Sequence, residues 1–214
     1  MKIPANQIVY AIEMFIMGVP VYRILKRSDY SKTTMQKLYQ LFRRTIYDHS
    51  LAELKELSGR IELDEAMFGG HRPGKRGWGA EGKHIVFGIY KRDGEVVVFP
   101  VTDRQKDTLL PIIEKHTETG SVYYTDDYEG YVGLVVRGRH IRITKEKGRP
   151  TTKAHINGIE GYWSYAKHWL YHYRGVPRDY FHLYLKEIEF RFNNRRKDLF
   201  DELVTILLGG KVGP

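Results

Sequence analysis

The chain has 214 residues, of which 42% are hydrophobic. This composition excludes an intrinsically disordered protein. It contains no cysteine, which excludes disulfides, Cys-based zinc sites and Cys nucleophiles. The formal net charge of +9 favours a polyanionic partner. Since no signal-peptide pattern or long apolar run occurs, we expect a soluble, intracellular protein with no membrane partner.

Residues 1–50 have the apolar periodicity of helices. A first helix around 8–16 ends at Gly18-Val19-Pro20, a short helix is predicted over 21–26, and Ser31 stands where a third helix begins. The predicted inner stripe of that third helix is Met35, Leu38, Leu41 and Phe42. The pattern indicates a DNA-binding helix-turn-helix, and a small helical bundle that serves as a dimerisation cap is the alternative. In the first interpretation the residues nearest the bases are Lys32, Thr33, Thr34, Gln36 and Lys37.

The pattern changes to strands near residue 61. Strands are predicted over 60–64, 84–90, 95–101, 121–125 and 140–143, and helices over 106–116, 157–173, 179–194 and 199–208. Three strands followed by α/β alternation predict a mixed five-stranded sheet with helices on both faces, which is the ribonuclease-H-like order. The predicted segments are an all-α helix-turn-helix region over 1–50, an α/β catalytic domain over 58–197, and a C-terminal helix and tail over 198–214.

Three acidic residues occupy informative positions. Asp64 is predicted to end the first strand, Asp126 to end the fourth strand, and Glu160 to lie in the first turn of a long helix. If those two strands are neighbours, the aspartates emerge side by side, and a helix crossing that edge can supply Glu160. Three carboxylates repel one another unless cations hold them, and hard oxygen ligands select Mg²⁺ or Mn²⁺. Two such ions can activate a water or a 3′-hydroxyl at a phosphodiester. The alternative is that each acid simply ends a strand or begins a helix.

Three sequence blocks resemble the DDE transposases of bacterial insertion sequences, in the branch related to eukaryotic Merlin elements. These blocks are Leu63-Asp64-Glu65 with Phe68-Gly69-Gly70, Tyr124-Thr125-Asp126 with Tyr131, and the stretch from His155 to Ser164 that contains Asn157-Gly158-Ile159-Glu160 and Trp163. The resemblance covers about residues 8–197 and implies a ribonuclease-H-like integrase-type domain in which Asp64, Asp126 and Glu160 are the metal-binding triad. Many relatives carry an N-terminal zinc ribbon of paired cysteines, which this sequence lacks.

The resemblance also implies a role for Lys167, the basic residue that follows the glutamate in the family. Lys167 is seven residues after Glu160, close to two helical turns, so both lie on one helix face. A lysine there can hold the phosphate next to the scissile one. Asn157 is a rival third metal ligand, and His155 is a possible accessory residue that could steer a ligand or the attacking water.

Two further basic segments are candidates for DNA contact. A glycine-rich loop over 69–83 contains Arg72, Lys75 and Arg76, and the segment before Glu160 contains Lys145, Lys147, Arg149 and Lys153. Cations of this kind neutralise phosphates and release counterions. A solvated charged surface is the alternative.

The sequence therefore predicts a transposase that cuts DNA at the terminal repeats of its element and joins the 3′-hydroxyl to target DNA. Its expected cofactors are two Mg²⁺ or Mn²⁺ ions. Its expected partners are double-stranded DNA, as terminal inverted repeats and target, and further copies of the chain in a homodimer or larger assembly on DNA. The expected location is the bacterial cytoplasm, at the nucleoid. A structure-selective nuclease such as a junction resolvase, or a non-catalytic domesticated DNA-binding regulator, are the alternatives.

Overall fold

A computed structural model describes residues 3–26, 29–69, 83–92, 94–131, 133–143, 155–173 and 175–209. The helices are α1 (Ala5–Ile16), α2 (Val21–Ile24), α3 (Lys32–Ala52), α4 (Lys106–His116), α5 (Leu134–Arg137), α6 (Asn157–Tyr171), α7 (Phe181–Asn193) and α8 (Leu199–Leu207). The strands are β1 (Arg60–Phe68), β2 (His84–Lys91), β3 (Val96–Val101), β4 (Val122–Thr125) and β5 (Arg139–Arg142). Short 3₁₀ turns cover Glu129–Tyr131 and Arg178–Tyr180.

The five strands form one mixed sheet in the order β3-β2-β1-β4-β5. β1 and β2 pair antiparallel, as do β2 and β3, whereas β4 runs parallel to both β1 and β5. The antiparallel strands β1 to β3 are followed by β4 and β5, and a helix precedes each of these two strands in the chain. Parallel strands need such crossover connections. The predicted five-stranded mixed sheet is confirmed, with its first and fourth strands as neighbours.

The first strand is longer than predicted. The sequence places its end at Asp64, but β1 continues to Phe68 because Glu65–Phe68 pair with the first half of β2. Parallel pairing with β4 ends at Glu62, opposite Tyr124. Asp64 thus lies in the middle of β1 but beyond the end of its pairing with β4.

The chain divides into two compact units, Leu54–Tyr171 and a helical unit of Met1–Glu53 with His172–Pro214. This division differs from the predicted segments because α7 and α8 pack with α3 in the helical unit. The C-terminal helices therefore complete the core of the N-terminal helices.

The sheet unit has a helix on each face. Side chains of β1 alternate, so Ile61 and Leu63 point to the face covered by α4, where they are buried with Leu109 and Ile113. The opposite face of β1 carries Glu62 and Asp64 and is covered by α6. An acidic pair therefore lies under a helix, where an apolar pair would be usual.

The helical unit has its own apolar core, to which α1, α3 and α8 contribute. Met35, Leu38 and Phe42 of the predicted α3 stripe are buried, but Leu41 is 52% exposed and Tyr39 is buried in its place. The buried arc of α3 thus keeps three of the four predicted residues and extends to Tyr39 on the side away from Leu41. In α8, Leu203 and Ile206 are buried in the same core, so this apolar helix packs within its own unit.

A buried ion network connects α3 and α7. Glu187 is fully buried; one carboxylate oxygen lies 2.6 Å from Nε of Arg43 and the other 2.9 Å from Nη2 of Arg191. Burial by itself would raise the pKa of Glu187, but the two guanidinium groups lower it, and the net shift is downward. Arg191 also donates to the carbonyl oxygens of Phe15 and Ile16 at the end of α1. The Glu187 carboxylate therefore orients the two arginines through which α1, α3 and α7 are connected.

Replacing Glu187 by Ala is expected to lower the free energy of unfolding of the helical unit by about 3–5 kcal/mol, because it leaves two buried guanidinium groups without their anion. The control is Glu202→Ala, since the Lys197–Glu202 pair is 3.7 Å apart and partly exposed, and its loss should cost about 1 kcal/mol or less. Chemical denaturation measures both variants. Equal losses in the two would contradict the prediction.

Candidate active site

The strand register places Asp64 and Asp126 at one level of the sheet. Glu62 of β1 is the partner of Tyr124 in β4, and each aspartate follows its own member of this pair by two residues. Neighbouring strands lie about 4.8 Å apart. The two aspartates therefore lie at one level where β4 ends, close enough for the charge of Asp126 to raise the pKa of Asp64.

Trp163 of α6 holds the Asp64 carboxylate. Its Nε1–H donates a hydrogen bond of 3.0 Å to Oδ2 of Asp64, and its ring packs edge-on against Phe68. Gly88, the β2 partner of Asp64, makes room for this ring, since a methyl group at Gly88 would lie 2.7 Å from the ring of Trp163 and 2.8 Å from Ile159. A glycine opposite the acid is thus what lets the indole lie close enough to the sheet to reach it.

The pKa of Asp64 is raised to about 7. Burial is the largest cause, and the negative charges of Glu65 and Asp126 raise the pKa further. Hydrogen bonds from the Glu65 backbone and from Trp163 act in the opposite direction. Asp64 makes no ion pair within the part of the chain that the structure describes, so its charge is one that a bound cation would stabilise.

The other two acids of β1 are paired. Glu65 lies 3.1 Å from Nη2 of Arg104 and accepts a hydrogen bond of 2.7 Å from the hydroxyl of Tyr131. Burial raises the pKa of Glu65, while Tyr131 and Arg104 act against that shift. Arg104 also stacks on Tyr128, 3.8 Å from the ring centroid, and the backbone N–H of Tyr128 donates to Oδ1 of Asp126. Glu65 therefore helps to fix the turn that carries Asp126.

Glu62 is paired on the other face of the strand. Its Oε1 accepts a 2.7 Å bond from Nε of Arg92, and its Oε2 accepts a 2.9 Å bond from the backbone N–H of Ile159 in the first turn of α6. Arg92 also donates to the backbone oxygen of His155 and stacks on Tyr124, 3.7 Å from the ring centroid. The start of α6 is thus attached to β1 by a buried carboxylate.

The remaining predicted catalytic residues lie on or just before α6. Glu160 is half-buried in the first turn, and Asn157 is exposed at the first residue of the helix. Lys167 is exposed, with Nζ 5.9 Å from the ring centroid of Phe68. Nδ1 of His155 is buried and has no hydrogen-bond partner among the described residues.

The donor set fits a hard divalent cation through Asp64 and Asp126. Carboxylate oxygens are the ligands that Mg²⁺ and Mn²⁺ prefer, and burial together with the negative charges of Glu65 and Asp126 raises the pKa of Asp64. Over the described ranges, no three Asp, Glu, His or Cys side chains are grouped closely enough to hold one metal ion. The structure therefore brings two of the three predicted ligands together, and convergence of Glu160 with them stays a prediction.

The predicted DNA-contacting residues fall into two sets. On α3, Lys32, Thr33, Gln36 and Lys37 are exposed, and Thr34 is half-buried. Those of the two basic segments lie outside the described residues, namely Arg72, Lys75, Arg76, Lys145, Lys147, Arg149 and Lys153. Arg137, which ends α5 and precedes the second segment, donates to the backbone oxygens of Glu114 and Thr117 at the end of α4. Its guanidinium is thus engaged within the domain.

Sequence reasoning missed the supports of the site. It named Trp163 only as part of the third sequence block and did not predict this buried residue as the donor to Asp64. It assigned nothing to Glu62, although a glutamate between Ile61 and Leu63 in a strand covered on both faces is a signal of a buried, partnered carboxylate. Nothing local in the sequence pairs Glu62 with Arg92 or Glu65 with Arg104.

The mixed sheet, its strand order and the helices on its faces define a ribonuclease-H-like α/β domain with one aspartate on β1 and another directly after the adjacent strand β4. The sequence model of the ISXO2-like transposase domain matches residues 56–193. The chain belongs to this bacterial insertion-sequence transposase family.

A relative in Haemophilus influenzae, named an uncharacterized transposase-like protein, is 40% identical over 101 residues. That match spans 47% of this chain and 82% of the relative. Membership of a transposase family implies DNA as the partner. Within the described part of the chain, no helix is both long and apolar enough to cross a bilayer.

The Nε1–H bond from Trp163 stabilises the ionised form of Asp64 and so lowers its pKa. Replacing Trp163 by Phe removes this bond and is therefore expected to raise the pKa of Asp64 beyond about 7. The phenyl ring keeps much of the packing against Phe68. Trp169→Phe on the same helix is the control and should leave the pKa of Asp64 unchanged. An NMR pH titration of the Asp64 carboxyl carbon measures both, and an unchanged or lowered value in Trp163→Phe would count against the assigned hydrogen bond.

Proposed function

We propose that this chain is a DDE-type transposase that cuts DNA at the terminal repeats of its element and transfers the 3′-hydroxyl to target DNA. The observation that carries the proposal is the pair of adjacent aspartates, of which Asp64 has no cationic partner among the described residues whereas its neighbours Glu62 and Glu65 each have an arginine. Of the three acids in β1, Glu62 and Glu65 are each paired with an arginine. This supports a role for the third acid, Asp64, as a ligand of a bound ion.

The reaction consists of two substitutions at phosphorus. In the first, water attacks the scissile phosphate at the element end, the bond to the 3′-oxygen breaks, and a 3′-hydroxyl and a 5′-phosphate remain. In the second, that 3′-oxygen attacks a phosphate of target DNA and displaces the 3′-oxygen of the target strand. The first step converts one phosphodiester into a phosphomonoester and releases a proton, whereas the second exchanges one phosphodiester for another. Neither step needs an oxidant or a nucleotide.

The chain's residues hold the reacting groups. Asp64, Asp126 and Glu160 are the proposed ligands of two Mg²⁺ or Mn²⁺ ions, with Asn157 as the rival third ligand. When bound, the ions would activate the attacking oxygen and stabilise the leaving oxygen. Trp163 keeps Oδ2 of Asp64 oriented, and the backbone N–H of Tyr128 does the same for Oδ1 of Asp126.

Lys167 is proposed to hold the phosphate next to the scissile one, and His155 is an accessory candidate. The seven-residue spacing between Glu160 and Lys167 on α6 supports this role, because both then lie on one helix face. The basic residues of the 69–83 and 145–153 segments are proposed to contact the duplex. Because two element ends must be joined to one target, we expect at least two copies of the chain on DNA.

Replacing Asp126 by Asn is expected to abolish both nicking and strand transfer, because it removes the charge of one proposed ligand, while DNA binding stays within about twofold of wild type. Asp127→Asn is the matched control, since Asp127 is the exposed next residue. The assay incubates the full chain with a duplex bearing the element's terminal repeat and Mg²⁺ or Mn²⁺, and separates nicked from joined products.

Retained strand transfer in Asp126→Asn would contradict the proposed site. Cleavage of branched DNA with no joined product from wild type would instead identify a structure-selective nuclease. Binding without any cleavage, equal in wild type and variant, would identify a DNA-binding regulator.

The helix-turn-helix is proposed to bind the terminal repeat through the exposed start of α3. The double change Lys32→Ala and Lys37→Ala should lower affinity for the repeat and reduce the log–log salt slope by about 0.9 for each lost phosphate contact. Arg44→Ala, exposed on the same helix about two turns further along, is the control. Fluorescence anisotropy over a range of salt concentrations gives both quantities. A slope equal to that of wild type would exclude both lysines as phosphate contacts.

A further inference from the structure

The residue that directly precedes α6 is not a capping residue. The residue before the helix is Ile156, whose side chain cannot accept a hydrogen bond, although the first N–H groups of a helix need acceptors. Oε2 of Glu62 fills this role from β1 by accepting the N–H of Ile159 at 2.9 Å. A strand residue therefore accepts an N–H from the first turn of the helix that carries Glu160.

Glu62 can do this because its own charge is compensated. The residue is 1% exposed, and Arg92 donates to its other carboxylate oxygen at 2.7 Å. Arg92 also donates to the backbone oxygen of His155, just before the helix. The pair thus holds both the last residues before α6 and its first turn.

The close approach of this turn to the sheet explains Gly158. A methyl group at Gly158 would overlap the ring of Tyr90 and lie 2.9 Å from Oε2 of Glu62. Only a residue without a side chain lets the first turn of α6 come near enough for the Glu62 carboxylate to reach the backbone. The Asn157-Gly158-Ile159-Glu160 block is therefore shaped by its contact with β1.

Two bonds connect β1 to α6, and Glu160 lies between them. Glu62 and Asp64 are on the same face of the strand, about 6.6 Å apart. Their α6 partners, Ile159 and Trp163, are one helical turn apart. Glu160 follows Ile159 directly, so the bond from Glu62 sets the height of the glutamate along the strand relative to Asp64.

We propose that Glu62, with Arg92, is a positioning residue that brings the third acid of the site, Glu160, to the level of Asp64 and Asp126. This inference rests on the proposed metal-dependent function. Glu62 touches neither DNA nor the reacting atoms in this account. It acts through the first turn of α6.

The central test is Mn²⁺ binding to the full chain without DNA, measured by titration calorimetry. We expect Glu62→Gln to weaken Mn²⁺ binding by about tenfold to a hundredfold, the range typical of residues that orient metal ligands. The glutamine amide keeps the shape of the side chain. It has no charge to neutralise Arg92, and its single oxygen cannot accept from both Ile159 N–H and Arg92 Nε. Glu95→Gln, an exposed acid of the same domain, controls for lost charge and should bind as wild type does.

A second control separates positioning from loss of stability. Leu109→Ala opens the core on the opposite face of the sheet and is expected to lower the stability of the domain. It should leave Mn²⁺ affinity within about twofold of wild type. Hydrogen exchange provides a readout that does not involve metal: the Ile159 amide should exchange faster, relative to the Trp163 amide, in Glu62→Gln and not in Leu109→Ala.

Two results would overturn the inference. One is wild-type Mn²⁺ affinity with wild-type Ile159 protection in Glu62→Gln, and the other is an equal affinity loss in Leu109→Ala. If Glu62→Gln does not fold, Glu62→Asp takes its place, since its shorter carboxylate keeps the charge and withdraws from Ile159. If wild type itself shows no Mn²⁺ binding that Asp64→Asn removes, the proposed function fails, whereas the exchange ratio still tests the cap.

Discussion

Parallel pairing between β1 and β4 is the constraint on which the site depends. The pairing stops at Glu62 and Tyr124, and an aspartate follows each of these two residues two positions later. The pKa of Asp64 is raised mainly by burial, and further by the negative charges of Glu65 and Asp126. A bound divalent cation would stabilise these neighbouring carboxylates.

Each of the three acids of β1 contacts a different part of the site. Glu62 faces α6 and ties the start of that helix to the strand, while Glu65 faces the other side and ties the turn after β4 through Arg104 and Tyr131. Asp64 stands between them and is held by an indole N–H instead of an arginine. A guanidinium in that place would compensate the aspartate and leave no negative charge for an ion, whereas the indole orients it and leaves its charge available.

Much of this organisation is encoded locally enough to be predicted from the sequence. The hairpin, the α/β alternation and the acids near strand ends predict the five-stranded sheet and the neighbouring aspartates, and both are present. The end of β1 was misplaced because the alternation of apolar residues stops at Asp64, whereas the strand continues through pairing with β2. The burial of Tyr39 in place of Leu41 follows from the packing of α3 in the helical unit, which no local pattern specifies. The supports of the site could not be predicted either, because Glu62 and Arg92 are thirty residues apart and Asp64 and Trp163 ninety-nine.

The central claim is that Asp64, Asp126 and Glu160 bind the same divalent ions. A crystal structure of the full chain with Mn²⁺ and terminal-repeat duplex tests it directly, since anomalous scattering locates manganese independently of the protein atoms. The account predicts anomalous peaks bonded to carboxylate oxygens of all three residues. Manganese bound elsewhere, or bound to the aspartates while Glu160 points away from it, would contradict the account.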